Sequence, residues 1–253
     1  MSSPSALPEW DVRWAVFLDV DGTLVDIRPR PDEVRAAPPL LDLLAAAAHS
    51  LGGALALVSG RSIASLDAIF EPLCLPAAGL HGLERRDAAG RVHYPAGYAG
   101  RIAAAREALV DFVQSEAGLL LEDKGSALAL HYRNAPELEA ACRQRIEGAL
   151  LAAGEDFHVQ QGKMVLELKP SDADKGTAIR AFMQEPPFSG RRPVFVGDDV
   201  TDEDGFRVVN EMGGLSIRVG SEAPSAARHV AADVAQILDW LAQCREQADV
   251  AES

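Results

Sequence analysis

Three short polar runs, each following an apolar segment, carry residue types suited to phosphoryl transfer. They are Asp19-Val20-Asp21-Gly22-Thr23 after Phe17-Leu18, Ser59-Gly60-Arg61 after Val58, and Gly197-Asp198-Asp199-Val200-Thr201-Asp202 after Val196. Alternate side chains of an extended segment share a face, so Asp19 and Asp21 can leave a strand end facing one pocket. Two acids so placed can divide the labour. One, kept ionised by a cation, attacks phosphorus; the other, its ionisation opposed by a neighbouring anion, holds a proton for the leaving oxygen. This reading makes Asp19 the nucleophile and Asp21 the acid and base. Gly22 and Thr23 allow the backbone to come close to an anion and present N–H groups to phosphate oxygens.

The third run, extended to Asp204, crowds four aspartates into seven residues. Their mutual repulsion calls for a hard cation, and Mg2+ fits because it takes a few carboxylates together with phosphate oxygens and waters. Glu203 and Asp204 themselves read more simply as a solvated helix N-terminus. The Ser59 hydroxyl can bind a phosphate oxygen, and Arg61 can reach the substrate or support the acidic loop. Lys175 opens a predicted helix, where the helix dipole disfavours a cation, so a compensating anion is expected there. Lys175 is therefore assigned to neutralise the phosphate and the nucleophile.

These runs need elements to position them. Trp14 to Leu18 is continuously apolar, as for a parallel strand buried on both faces. A Pro-rich loop from Arg28 to Pro31, a helix over 38–50, a strand over 54–58, a helix over 63–70 capped by Ser62 and a strand over 75–80 follow in order. That is the rhythm of a doubly wound sheet. It changes after Gly82: helices over 100–116 and 136–153 alternate with strands over 126–133, 157–160 and 164–168. The α/β pattern resumes with a helix over 175–184, strands over 192–196 and 215–219, and a helix over 233–244. The expected architecture is an α/β, Rossmann-like doubly wound parallel sheet built from residues 1–83 and 169–253, with an α+β insertion over 84–168. Residues 1–8 and 245–253 read as tails.

Composition sets limits. A formal net charge of −14 argues against nucleic-acid binding, so an anionic substrate would depend on locally concentrated cations. The longest apolar stretches, such as Ala54 to Val58, fall far short of the roughly 20 residues needed to span a bilayer. The N-terminus shows no basic segment followed by a hydrophobic one, and a cytoplasmic location is expected. Cys74, Cys142 and Cys244 are widely spaced and read as buried, reduced thiols.

The ordered set Asp19-x-Asp21-Gly22-Thr23, Ser59, Lys175 and Gly197-Asp198-Asp199 resembles the haloacid dehalogenase phosphatase superfamily. Within it, Leu80-His81-Gly82-Leu83-Glu84, Lys124 to Arg133 and Gly162 to Pro170 are similar to patterns of the trehalose-6-phosphate phosphatase family. The resemblance implies that the insertion is a cap that sets substrate choice. It also implies that Lys124, His131, Arg133, Lys163 and Glu167 read sugar hydroxyls or the phosphate. His131 and Arg133 would share a strand face, as would Lys163 and Glu167; taken singly, Lys124 or Lys163 reads as a solvated loop charge.

The expected reaction is Mg2+-dependent hydrolysis of trehalose 6-phosphate through an aspartyl phosphate on Asp19. Asp19 and Asp198 would hold the metal, joined, as the family implies, by the backbone carbonyl of Asp21, with Asp199 and Asp202 as outer, water-mediated partners. A functional pairing with a trehalose-phosphate synthase is a further implication. Two rival readings are a phosphatase for another sugar phosphate and a catalytically silent sugar-phosphate sensor.

Overall fold

The computed structural model describes residues 7–26, 34–94, 98–162, 164–171, 173–220 and 224–251. The Pro-rich segment Arg28 to Pro31 and Lys163 lie outside the described residues. Contacts divide the chain into two compact units, Met1–His93 with Asp174–Ser253, and Tyr94–Ala173.

The first unit is organised around β1 (Trp14–Leu18), whose residues are all buried, as an apolar run with no polar face requires. The chain continues through α1 (Pro38–Ser50), β2 (Leu55–Val58), α2 (Ile63–Phe70), β3 (Ala77–Gly79) and the hairpin of β4 (Glu84–Arg86) and β5 (Val92–His93). Pro at the first helical turn opens α1, and the Ser62 hydroxyl accepts from Ser65 N–H to cap α2.

The second unit contains α3 (Ala99–Ser115), β6 (Leu120–Asp123), β7 (Leu128–His131), α4 (Glu139–Ala153), β8 (Phe157–Gly162) and β9 (Val165–Pro170). The chain then returns through α5 (Lys175–Phe182), β10 (Arg192–Gly197), α6 (Glu203–Glu211), β11 (Leu215–Val219), β12 (His229–Ala231) and α7 (Val234–Ala251).

The main sheet has the order β12-β11-β10-β1-β2-β3-β4-β5, parallel from β12 to β3 and antiparallel at the β4–β5 edge. The chain leaves β1 for β2 on one side and returns to β10 on the other, which opens a crevice at the carboxyl ends of these strands. Helices α1 and α7 pack together, as do α5 and α6. The doubly wound core with an inserted α+β unit expected from the pattern is the architecture found.

Several expectations need correction. The insertion, expected over 84–168, is the unit Tyr94–Ala173. Residues 84–93 instead extend the main sheet, because β4 pairs with β3 and the Arg86 guanidinium is buried against the Leu75 carbonyl, with Asp67 as its counter-charge. At the other end β9 stays paired with β8 out to Pro170. The strand over 75–80 stops at Gly79, and Leu80–Gly82 forms a tight turn with Leu80 and His81 in the left-handed region. Helix α7 continues to Ala251, past the expected start of the tail. Strands β6 and β12 were not anticipated, and Cys74 is exposed whereas Cys142 and Cys244 are buried. No helix among the described residues is long and apolar enough to cross a membrane.

In the second unit the sheet order is β6-β7-β9-β8. Leu128, Leu130, Leu166, Leu168 and Phe157 join Ile102, Leu109 and Ile146 of the helices in one apolar core. Alternation therefore places Glu122, His131, His158, Gln160, Glu167 and Lys169 on the opposite face.

Candidate active site

The carboxyl ends of β1, β2 and β10, together with the first residue of α5, supply most polar groups of a cavity of about 560 Å³. Its lining includes Asp19, Asp21, Ser59, Arg61, Lys175, Asp198 and Asp199, which the sequence reading had drawn from four separate segments. Gly60, His81 and Thr201 complete it.

Asp19 lies one residue beyond β1, and its N–H donates to the Val196 carbonyl at 2.9 Å, continuing the parallel ladder to β10. The residue is 4% exposed. Its Oδ1 accepts from Lys175 Nζ at 2.8 Å, and the same ammonium donates to Asp202 Oδ1 at 2.6 Å. These carboxylates are the compensating anions that a lysine at a helix start calls for. Burial alone would lower the lysine's pKa; Asp19 and Asp202 outweigh it and raise the group above its ordinary value. Asp174 caps α5 in a reciprocal box with Thr177 and so fixes where Lys175 leaves the helix.

Asp202 is fully buried, and both of its oxygens have partners. Oδ1 takes the lysine, while Oδ2 accepts from the N–H groups of Asp198 and Asp199 at 2.9 Å each. It ties the acidic loop to the lysine. Gly197 permits this, since a Cβ there would collide with the Asp202 side chain. Asp199 is turned toward its own loop, where Oδ1 accepts from Val200 N–H at 2.7 Å. Glu203 and Asp204 occupy the first turn of α6, the helix N-terminus expected for them, but Glu203 is not solvated: its carboxylate accepts from Arg218 Nη1, Ser225 Oγ and Ala226 N–H.

The oxygens of Asp19, Asp198 and Asp202 include atoms within 4.8 Å of one another. Asp198 Oδ1 is buried without a hydrogen-bond partner. Burial pushes the Asp19 carboxyl up to about 8, with Asp202 repelling it and Lys175 opposing the rise. Burial, then repulsion from Asp202 and Asp199, pushes Asp198 up to about 6. An orphaned carboxylate oxygen beside a second buried acid fits a hard divalent cation, which would stabilise both in the ionised form. Asp202, with both oxygens engaged by protein donors, is better suited to orienting the loop than to direct coordination.

Gly22 has φ +80°, and a Cβ there would run into the Asp198 carboxylate. Gly22→Ala is therefore expected to displace the acidic loop and lower phosphate release about a hundredfold, measured as kcat on the preferred ester. Unchanged kcat would show that the loop tolerates the shift. Thr23 is fully buried, and its Oγ1 has no hydrogen-bond partner. Contrary to expectation, neither residue presents its N–H to the cavity: Gly22 N–H donates to the Val25 carbonyl at 2.7 Å and Thr23 N–H to the Val20 carbonyl at 3.3 Å, which closes the turn on itself.

Ser59 is 2% exposed, and its Oγ accepts from Arg61 N–H at 3.2 Å. The Arg61 guanidinium forms a two-point ion pair with Asp21, at 2.6 Å for both contacts. His81, which sequence reading left out, enters through the left-handed turn after β3: its N–H donates to the Ser59 carbonyl, and its ring sits over Gly60, where a Cβ would lie 2.7 Å from it. Its place at a third strand exit was the available signal, but a histidine beside a glycine reads equally as a structural turn.

The residues assigned to sugar recognition lie in the other unit. Lys124 Nζ donates to Glu167 Oε1 at 2.7 Å, and His131 Nε2 lies 2.9 Å from Glu122 Oε2. Glu122, His131 and Glu167 share the polar sheet face. Arg133 does not share it by strand alternation as expected, because β7 ends at His131 and Arg133 lies in the following turn, exposed. Sequence reading passed over Glu122, which belongs to the unanticipated strand β6.

The trehalose-phosphatase family model matches residues 17–236. A probable trehalose-phosphate phosphatase of Sinorhizobium fredii is 50% identical over 213 residues, 84% of this chain and 80% of the relative. The trehalose-6-phosphate phosphatase of Escherichia coli is 45% identical over 237 residues, 92% of this chain and 87% of the relative. Among solved structures, a trehalose-6-phosphate phosphatase related protein superposes with a TM-score of 0.71 at 29% identity, covering 94% of this chain and 99% of that one. With its strand-exit motifs gathered in one cavity and a match of this extent, the chain belongs to the trehalose-phosphatase family.

Proposed function

We propose that the chain hydrolyses trehalose 6-phosphate to trehalose and inorganic phosphate, with Asp19 as nucleophile and Mg2+ as the metal. The observation that carries the chemistry is the buried Asp19 carboxylate, paired with Lys175 and set beside the orphaned oxygen of Asp198. The substrate assignment draws on the relatives named above.

In the first step Asp19 attacks phosphorus, and the bond from phosphorus to the sugar oxygen breaks. Asp21 gives that oxygen its proton, releasing trehalose and leaving an aspartyl phosphate. In the second, Asp21 takes a proton from water as the water oxygen bonds to phosphorus and the bond to Asp19 breaks. Lys175 holds the nucleophile in place and offsets the approach of one anion to another. Ser59 offers its hydroxyl to a remaining phosphate oxygen. Asp19, Asp198 and the Asp21 carbonyl would hold Mg2+, which when bound supplies positive charge at the transferred group. The polar face bearing Lys124, His131 and Glu167 is assigned to the sugar, together with Arg133 and Lys163. Pairing with a trehalose-phosphate synthase would place the substrate's source nearby.

The test is phosphate release from a panel of sugar phosphates with Mg2+ and with chelator. Metal-dependent preference for trehalose 6-phosphate is expected. Activity spread over many esters would keep the phosphatase chemistry and remove the substrate assignment; tight binding without release would favour the sensor.

Metal placement has its own test. A carboxyl raised in the folded state keeps a proton that the unfolded chain has already lost, so the metal-free fold loses stability as pH rises above the ordinary value near 3.8. For Asp198 this loss runs to about 6, and for Asp19 to about 8. Mg2+ is therefore expected to raise the thermal midpoint more at pH 8 than at pH 6. Equal shifts at both pH values would count against a metal between these two carboxylates.

A further inference from the structure

Arg61 and Asp21 both line the cavity that holds Asp19. Nε of Arg61 donates to Oδ2 of Asp21 and Nη2 to Oδ1, each at 2.6 Å. The main chain of Arg61 is held in place: its N–H donates to Ser59 Oγ, and its carbonyl accepts from Leu80 N–H at 2.9 Å. The side chains are 11% and 34% exposed, so the pair stands at the cavity wall within reach of an entering solute. A carboxylate with both oxygens engaged by a planar fork is not placed to serve a leaving oxygen. A phosphate group offers that fork the same two-point geometry and carries more negative charge.

We propose that Arg61 is a positioning residue that holds Asp21 out of the reaction until a phosphate group in the cavity draws the guanidinium away. Arg61 then grips the phosphate, and Asp21, freed of its partner, takes a proton from solvent water and passes it to the leaving oxygen. This rests on the assignment of Asp21 as acid and base given above. The contact couples the arrival of the anion to the readiness of the acid, and part of the phosphate's binding energy is spent on parting the pair.

The test is a double-mutant cycle read by calorimetric binding of inorganic phosphate in the presence of Mg2+. Asp21→Ala should tighten phosphate about tenfold when Arg61 is present, because the guanidinium no longer has to leave a partner. In the Arg61→Met background, where only the through-space repulsion is relieved, the gain should be about threefold or less. Equal gains in the two backgrounds would overturn the proposal. A crystal structure of the unaltered protein with Mg2+ and phosphate provides a second reading: Arg61 within hydrogen-bond distance of phosphate and parted from Asp21 supports it, and an intact Arg61–Asp21 pair beside bound phosphate overturns it. Turnover of Asp21→Ala on trehalose 6-phosphate tests the acid-base assignment separately. Near-parent turnover would remove that assignment whatever the binding cycle shows.

Discussion

Asp19→Asn is expected to abolish phosphate release, by about four orders of magnitude, while leaving the fold intact. The amide keeps the shape of the side chain, and Lys175 keeps Asp202 as its second partner. What is lost is the oxygen that bonds to phosphorus, and no other carboxylate shares its position one residue beyond the central strand. Removing a buried acid whose carboxyl is pushed up to about 8 should also leave the metal-free protein at least as stable as the parent at pH 8. The measurement is phosphate release under single-turnover conditions beside a thermal melt. A rate within about tenfold of the parent, with the fold preserved, would remove Asp19 as nucleophile.

Lys175→Met should damage both activity and stability. The lysine is 2% exposed and stands between Asp19 and Asp202, residues that are 4% and 0% exposed. Breaking a buried ion pair by removing one partner costs about 3–5 kcal/mol, because the charge left behind has neither water nor a counter-ion. Turnover should fall about a thousandfold as the cation beside the nucleophile is lost. A melt will show the stability loss. Combining Lys175→Met with Asp19→Asn should recover part of it without recovering activity, since one of the two stranded charges is gone. A single variant that melts like the parent would mean that the triad contributes nothing to the fold.

These expectations concern local chemistry, and local chemistry is what a linear pattern records best. Apolar runs ending in Asp-x-Asp-Gly-Thr or Gly-Asp-Asp mark the ends of buried parallel strands, because such strands need no alternation and their exits need turn formers and polar groups. From those runs follow the doubly wound core, the order of its elements and the residues at its carboxyl edge. The Ser62 cap and the start of α5 at Lys175 were equally readable, since capping depends on neighbours in sequence.

Tertiary structure decided what depends on distant partners. Sequence placed Arg61 near the acids; only the juxtaposition of the β1 and β2 exits turned it onto Asp21. Asp202 read as an outer acid near the metal, and only folding showed its two oxygens divided between Lys175 and the loop N–H groups. The boundary of the insertion moved because three-residue strands such as β4 are stabilised by pairing rather than by their own pattern. The polar face of the second unit depends on the register of four antiparallel strands, one of which, β6, has too little alternation in burial to stand out. Sequence by itself determined which groups stand at the strand ends, because that is written within a few residues; which of them touch was decided by pairings between segments as far as 156 residues apart.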